Sequence, residues 1–228
     1  MKLGDREVGE HKPVFIICEG GVTNYGQIEL AQRQIDSAVT AQADAIKFQA
    51  WKTEHLVSKK TSDRLNKERQ FDWFKRLKEK ELSYQEIVSL HEYANRKGIV
   101  AFATPHDDSA IDLLNNEIEV PLFKVGSGEA NNYEFLKKVG NCEKPVLISF
   151  GFQNDKEIVK AVDVLDKAGA PEVIALHCVS LYPTPYHYAQ LKRIEHLRKL
   201  LNIPIGISDH SVGWHVALAA VSLGICVV

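Results

Sequence analysis

Short apolar runs alternate with longer amphipathic stretches along nearly the whole chain, and this alternation constrains the fold more than any other feature. The runs cover residues 14–18, 45–48, 100–103, 122–125, 146–149, 173–177, 205–208 and 225–228. Each is too short for a helix and is bounded by loop signals, so each reads as a buried parallel strand. Between them, residues 28–41, 84–97, 107–114, 132–139, 155–168, 190–200 and 212–223 carry helical periodicity. Gly98, Gly140, Gly169 and Gly224 each stand just before the next strand, where a helix C-terminus is expected. Eight strands and seven helices predict a TIM (β/α)8 barrel over residues 14–228 that ends at strand 8 without the final helix. Residues 1–13 form a separate N-terminal segment. A doubly wound open sheet is the rival, but the chain lacks the Gly-x-Gly-x-x-Gly turn of that class.

Residues 50–83 break the regularity. They are long and charged, and residues 63–80 predict an extra helix with Phe71, Trp73, Phe74 and Leu77 as its apolar side. A long connection at a strand's C-terminal end is either a lid or substrate wall, or a surface insertion. The formal charge of -2 and the absence of a basic stripe argue against nucleic acid. The N-terminus has no apolar signal core, and no apolar run reaches the ~20 residues of a membrane span. Cys18, Cys142, Cys178 and Cys226 are far apart in sequence and read as reduced packing residues of a cytoplasmic protein.

In a barrel the residues just after each strand converge on one face. Here they are Glu19 after strand 1, Lys47 and Gln49 at strand 2, and Thr104 and His106 after strand 3. Lys124, Ser127 and Glu129 belong to strand 4 and its exit, with Gly126 and Gly128 shaping the turn. Ser149 and Gly151 follow from strand 5, His177, Ser180 and Tyr182 from strand 6, and Ser208, Asp209 and His210 from strand 7. One strand-end lysine is as often an ion-pair partner as an anion ligand. Two of them, with a Ser-Gly-Glu turn beside the second, favour an anionic substrate such as a phosphate or carboxylate. Glu19 is costly to bury without a partner or metal. A lone histidine such as His210 is more often satisfied within the fold than a ligand.

Six ordered motifs carry a resemblance to a known family: Phe-Ile-Ile-Cys-Glu-Gly-Gly-Val, Ala-Asp-Ala-Ile-Lys-Phe-Gln, Ala-Thr-Pro-His-Asp, Phe-Lys-Val-Gly-Ser-Gly-Glu, Leu-His-Cys-Val-Ser-Leu-Tyr-Pro-Thr-Pro and Gly-Ile-Ser-Asp-His-Ser. Over residues 14–228 the chain resembles the sialic acid synthases, which condense phosphoenolpyruvate with an N-acyl amino sugar and release phosphate. The resemblance implies that Lys47, Lys124, Thr104, Ser127, Ser149, Ser180 and Ser208 hold phosphoenolpyruvate, with Gln49 beside it. It implies Glu19 near the reacting centre, Glu129 and Tyr182 on the sugar, and His210 as ligand of a divalent metal, manganese (Mn2+) or magnesium (Mg2+). It also implies a homodimer in the full-length form.

The chain departs from the family pattern at three places. Thr23-Asn24-Tyr25-Gly26 stands where Asn-His-Asn-Gly is usual, and Ser149-Phe150-Gly151-Phe152 where Ser-Thr-Gly-Met is usual. Phe150 either narrows the pocket or points outward. The sequence also ends at Val228, before the family's second metal histidine, its eighth helix and its small C-terminal domain, so a fragment of a longer enzyme is expected. The competing readings are a Schiff-base aldolase with Lys47 or Lys124 as nucleophile, and a non-catalytic barrel that binds a phosphorylated ligand.

Overall fold

The computed structural model describes residues 2–3, 6–9, 11–69 and 71–228. Within the N-terminal segment 1–13, Met1, Gly4, Asp5 and Glu10 therefore lie outside the described residues. Strands β1 (Lys2–Leu3) and β2 (Arg6–Glu7) of that segment pair antiparallel, a hairpin that the sequence pattern does not announce. The chain divides into two compact units, Cys18–Val120 and Met1–Ile17 with Pro121–Val228.

The unit Cys18–Val120 is built on a three-stranded sheet in the order β3 (Ile17–Gly21), β4 (Ala45–Ala50), β5 (Val100–Pro105). The first strand was expected at residues 14–18. It lies three residues later, so Glu19, Gly20 and Gly21 are part of it. Gly20 is required there because a Cβ would sit 2.6 Å from the Phe48 ring. Helix α1 (Ile28–Thr40) follows β3 and buries Ala31, Ile35 and Ala38. The connection after β4 holds α2 (Thr53–Leu56), α3 (Lys59–Arg69) and α4 (Trp73–Lys78). The single helix expected over 63–80 is thus two helices, with Gln70 outside the described residues. The break has a local cause: the Asp72 carboxylate accepts from the Lys75 amide and starts a new helix, and Asn66 Oδ1 accepts from the Trp73 amide. Helix α5 (Tyr84–Lys97) opens with a Ser83–Glu86 capping box and ends on left-handed Gly98, as its sequence signals predict.

The residue that fastens this connection is Asp107, the N-cap of α6 (Asp108–Asp112), which runs on into a π-turn at Leu113–Glu117. Its carboxylate accepts from the Lys52 amide at 2.8 Å, the Ala110 amide at 2.8 Å, the Ser109 hydroxyl at 2.7 Å and the Tyr84 hydroxyl at 3.0 Å. Burial alone would raise its pKa, but these donors outweigh burial and hold the carboxyl below the ordinary value.

The second unit carries a four-stranded parallel sheet, β6 (Phe123–Val125), β7 (Val146–Phe150), β8 (Val173–Cys178) and β9 (Ile205–Ser208), paired in chain order. Helices α7 (Tyr133–Gly140), α8 (Asp155–Ala168) and α9 (Lys192–Leu201) connect successive strands, and α10 (His215–Ser222) follows β9. Residues 226–228 act as the expected last strand by hydrogen bonding, although Val227 makes only an isolated bridge, to Phe15. The Ile207 amide donates to Val227 O, and on the other side the Ile17 amide donates to Val228 O, both at 2.9 Å. Arg198 Nη2 reaches from α9 to the carbonyls of Leu223 and Gly224 and so satisfies the end of α10.

Gly169 and Gly224 have left-handed backbone, as expected of helix ends, but Gly140 does not. It is the last residue of α7, and a Cβ there would lie 2.5 Å from the Ala168 Cβ of α8. Its smallness serves close packing of two helices rather than a turn. Gly140→Ala should therefore destabilise by about 1–3 kcal/mol from overpacking, although alanine is the better helix former. Urea unfolding at matched m-value checks this. Asp107→Asn should cost about 2–3 kcal/mol at neutral pH, since an amide leaves some of the converging donors without an acceptor. Because the folded pKa of Asp107 lies below 3.8, its contribution is complete above that value and is lost as pH falls through the folded pKa. Acid titration of stability should show that loss in the parent protein and not in the variant.

Candidate active site

Strand register decides which side chains share a face, because residues two apart on a strand point the same way and parallel partners point together. In the first unit Lys47 pairs with Phe102 and Gln49 with Thr104, so Lys47, Gln49, Phe102 and Thr104 share one face. Lys47 is 8 % exposed. Its ammonium lies 2.5 Å from Glu19 Oε2 and donates to Thr104 Oγ1 at 3.3 Å. Glu19 thus has a partner for its charge, an ion pair with Lys47. Glu19 is half exposed, however, so the pair opens to solvent and is not sealed in the core. Gly21 is positive in φ, and a Cβ there would lie 2.9 Å from Glu19 Oε1. Asn24 is buried and tied into the following turn, its amide donating to Gly21 O and accepting from the Gly26 amide. His106 packs edge-on to Trp51.

In the second unit Lys124 pairs with Leu147, Ser149 with Leu176, and Cys178 with Ser208. Lys124, Ser149, Cys178 and Ser208 therefore line one face at the C-terminal ends of the strands. Phe150 and His177 pair with each other on the opposite face. Phe150 is 1 % exposed, so of the two alternatives it points away from the Lys124 face and does not narrow the space there. His177 Nε2 donates to Ala189 O at 2.7 Å, and its Nδ1 is buried without a partner. Burial lowers its pKa and favours the neutral ring, so His177 is a structural residue of the outer face.

Lys124 is 6 % exposed, and its ammonium donates to Ser149 Oγ and Val125 O, both at 2.7 Å. The turn after β6 stands beside it. Ser127 Oγ accepts from the Gly151 amide at 2.9 Å, and nothing lies within 4 Å of the Cβ positions of Gly126 and Gly128. Gly151 has no such freedom: a Cβ would fall 2.1 Å from Ser180 Oγ and 3.0 Å from Ser127 Oγ. The Ser127 and Ser180 hydroxyls, from two loops, thus meet at the glycine of a third. Glu129 lies at the rim and accepts from Asn132 Nδ2. Tyr182 is 71 % exposed with its ring 4.1 Å from that of His210.

Cys178, read from the sequence as a packing residue, belongs to this cluster. Its Sγ lies 4.0 Å from His210 Nδ1 and 3.9 Å from Ser180 Oγ. Burial opposes ionisation, yet hydrogen bonds from His210, Ser127 and Ser180 pull the thiol pKa below its ordinary value. The same contact and the Val179 carbonyl raise His210 against the effect of burial. No periodicity signal separates such a cysteine from a core one, because it occupies an ordinary strand position.

His210 Nδ1 lies 2.8 Å from Val179 O, which turns Nε2 outward as a metal ligand requires. One imidazole is not a metal site, though. Among the described residues no group of three or more His, Cys, Asp or Glu side chains could hold an ion. The residues present supply one oriented ligand and do not by themselves fit the expected divalent cation. A cavity of about 450 Å³ lined by Val8, Val159, Leu200 and Pro204 opens by Val173, the first residue of β8, at the other end of the sheet from Cys178. No helix among the described residues is long and apolar enough to cross a membrane.

Comparison with known proteins gives this geometry a context. The chain is 41% identical, over 98% of its length and 63% of the other's, to an uncharacterized protein of Methanocaldococcus jannaschii. It is 35% identical to the N,N'-diacetyllegionaminic acid synthase of Campylobacter jejuni, over 95% of this chain and 66% of the relative. The chain thus spans about two thirds of the length of the curated relatives it matches. The crystal structure of an N-acetylneuraminic acid (sialic acid) synthetase from Leptospira borgpetersenii, in complex with citrate, superposes with a TM-score of 0.89 at 35% identity. That match covers 100% of this chain and 75% of the other. The family model described as "NeuB family" matches residues 34–228, and by these likenesses the chain belongs to the NeuB family.

Proposed function

We propose that this chain is the phosphoenolpyruvate-binding (β/α)8 barrel part of a nonulosonate synthase. The observation that carries the reading is the shared face of β6–β9, where Lys124, Ser149, Cys178 and Ser208 stand beside an open glycine turn. A buried ammonium held by a hydroxyl and a carbonyl at a strand end is suited to meet an anion. By resemblance to the family Lys47, Thr104 and Gln49, which share one face of their own sheet, are further candidates to contact the substrate. Ser127, Ser180 and Ser208 offer hydroxyls to the carboxylate and phosphate.

In the proposed reaction C3 of phosphoenolpyruvate attacks the aldehyde carbon of an open-chain N-acyl amino sugar and forms the new carbon–carbon bond. The aldehyde oxygen takes up a proton. Water adds at C2, the C2–O bond to the phosphoryl group breaks, and inorganic phosphate leaves. Glu19, paired with Lys47, is the carboxylate placed to handle a proton at the reacting centre, and Glu129 and Tyr182 would contact the sugar. No step is routed through a cation, for which His210 is the one ligand these residues provide. The named relatives make different acids, so the sugar is specified here only as an N-acyl amino sugar of the N-acetylmannosamine type. The reading includes a cytoplasmic enzyme that is a homodimer in its full-length form.

The Schiff-base alternative needs a lysine that is neutral and free to attack. Lys124 is instead engaged with two oxygens at 2.7 Å, Val125 O and Ser149 Oγ. With phosphoenolpyruvate and N-acetylmannosamine together, phosphate release should depend on both; calorimetry should detect phosphoenolpyruvate binding even without the sugar. Absence of that binding would falsify the assignment. Borohydride added with pyruvate should leave the mass unchanged, and an adduct on Lys47 or Lys124 would assign the aldolase instead. Lys124→Met should weaken phosphoenolpyruvate roughly 10- to 150-fold, the loss of one charge-assisted contact. The melting temperature should hold, since a buried ammonium is replaced by an apolar chain of similar volume.

A further inference from the structure

We infer that Gln153 is a positioning residue that presents the Ser127–Gly128 peptide to the bound anion, an inference that rests on the phosphoenolpyruvate reading above. Gln153 follows the departure Ser149-Phe150-Gly151-Phe152 and makes no contact through which it could act on substrate directly. Its side chain is buried, 6 % exposed, and its Nε2 donates to the Ser127 carbonyl at 2.8 Å. Its Oε1 accepts from the Phe152 amide at 3.2 Å, which settles the amide's orientation. The backbone carbonyl of Gln153 is itself held, by Arg193 Nη2 at 3.2 Å from the first turn of α9.

These contacts act on a single peptide plane. In a trans peptide the carbonyl and the following N–H point in opposite directions. With the Ser127 carbonyl drawn toward Gln153, the Gly128 amide faces away from it. That amide has no hydrogen-bond partner among the described residues, and the Cβ position of Gly128 has nothing within 4 Å. The side chain of Ser127 is set by the same pair of loops. Its Oγ already accepts from the Gly151 amide, and its hydroxyl bonds to the Cys178 thiol. The turn therefore offers an anion one amide in a fixed direction. Fixed backbone donors of this kind make anion sites because they need no reorganisation on binding. Without the Gln153 donor the Ser127 carbonyl keeps only the Ala130 amide at 3.4 Å, and the peptide is free to turn.

The test uses the whole chain with Gln153→Met, which keeps the length and removes the donor, and Arg193→Met, which loosens Gln153 from one step further away. By calorimetry Gln153→Met should weaken phosphoenolpyruvate about five- to ten-fold, the worth of one buried hydrogen bond. Arg193→Met should weaken it less, by roughly two- to three-fold, since it acts on Gln153 alone. Deuterium exchange should speed up selectively in residues 126–130, while Gly140→Ala, a destabilised control, should leave the affinity unchanged. Parent-like affinity and exchange in both variants would overturn the role of Gln153. Should the parent itself fail to bind phosphoenolpyruvate, the functional reading falls, and exchange at 126–130 alone still decides whether Gln153 holds the turn. If Gln153→Met does not fold, the Arg193→Met result carries the same decision.

Discussion

A lysine ammonium held at the end of a parallel strand organises this protein. Lys124 is taken out of water by the β6–β9 sheet, and that step is unfavourable unless oxygens surround the charge. Ser149 and the Val125 carbonyl provide the first two, at 2.7 Å. The loops above it are shaped around the same need, with Ser127 and Ser180 both meeting at a glycine that admits no side chain. The helices serve this arrangement indirectly: capping boxes and tight α7–α8 packing fix the strands in register, and register alone decides that Ser149 and not Phe150 stands beside the ammonium.

Much of this was legible in the order of residues, and the reasons are physical. Lys47 and Lys124 stand out because a charge inside an apolar run has no ordinary explanation. The helices over residues 84–97 and 155–168 were readable to the residue, because a capping box opens each and a left-handed glycine closes each. What was not legible depended on partners remote in sequence. Gly140 looks like a helix stop until α8 is laid against it. The region 63–80 reads as one helix because its apolar spacing is continuous, and only the Asp72 cap divides it. Phe150 could point either way until β8 fixes its register. Cys178 has the local surroundings of any core cysteine, and its nearness to His210 arises from the pairing of β8 with β9.

The site residues fall into two groups with different degrees of internal support. The residues proposed to face the anion are the more tightly held, with Lys124 bonded to Ser149 and Ser127 to the Gly151 amide. Those proposed to face the sugar are looser: Tyr182 is largely exposed, and Glu129 accepts from Asn132. His210 has its ring tilted against that of Tyr182 and is tied to the Val179 carbonyl. A firmly held anion end and a looser sugar end suit the proposed reaction, since the relatives are named for different acids.

The Asp107 carboxylate has a wider meaning. It receives the Lys52 amide, where the long connection after β4 departs, and the Tyr84 hydroxyl, where that connection rejoins the helical layer. Thr53 and Glu81 repeat the closure one residue inward, with hydrogen bonds of 2.6 and 2.8 Å. The segment between them is in effect a cassette with both ends clipped to the same frame. Its contents can lengthen, shorten or change sequence without the sheet sensing it, because loop length itself costs little once the ends are fixed. A scaffold of this kind lets one part of the chain diversify quickly while the strands that carry the lysines stay as they are.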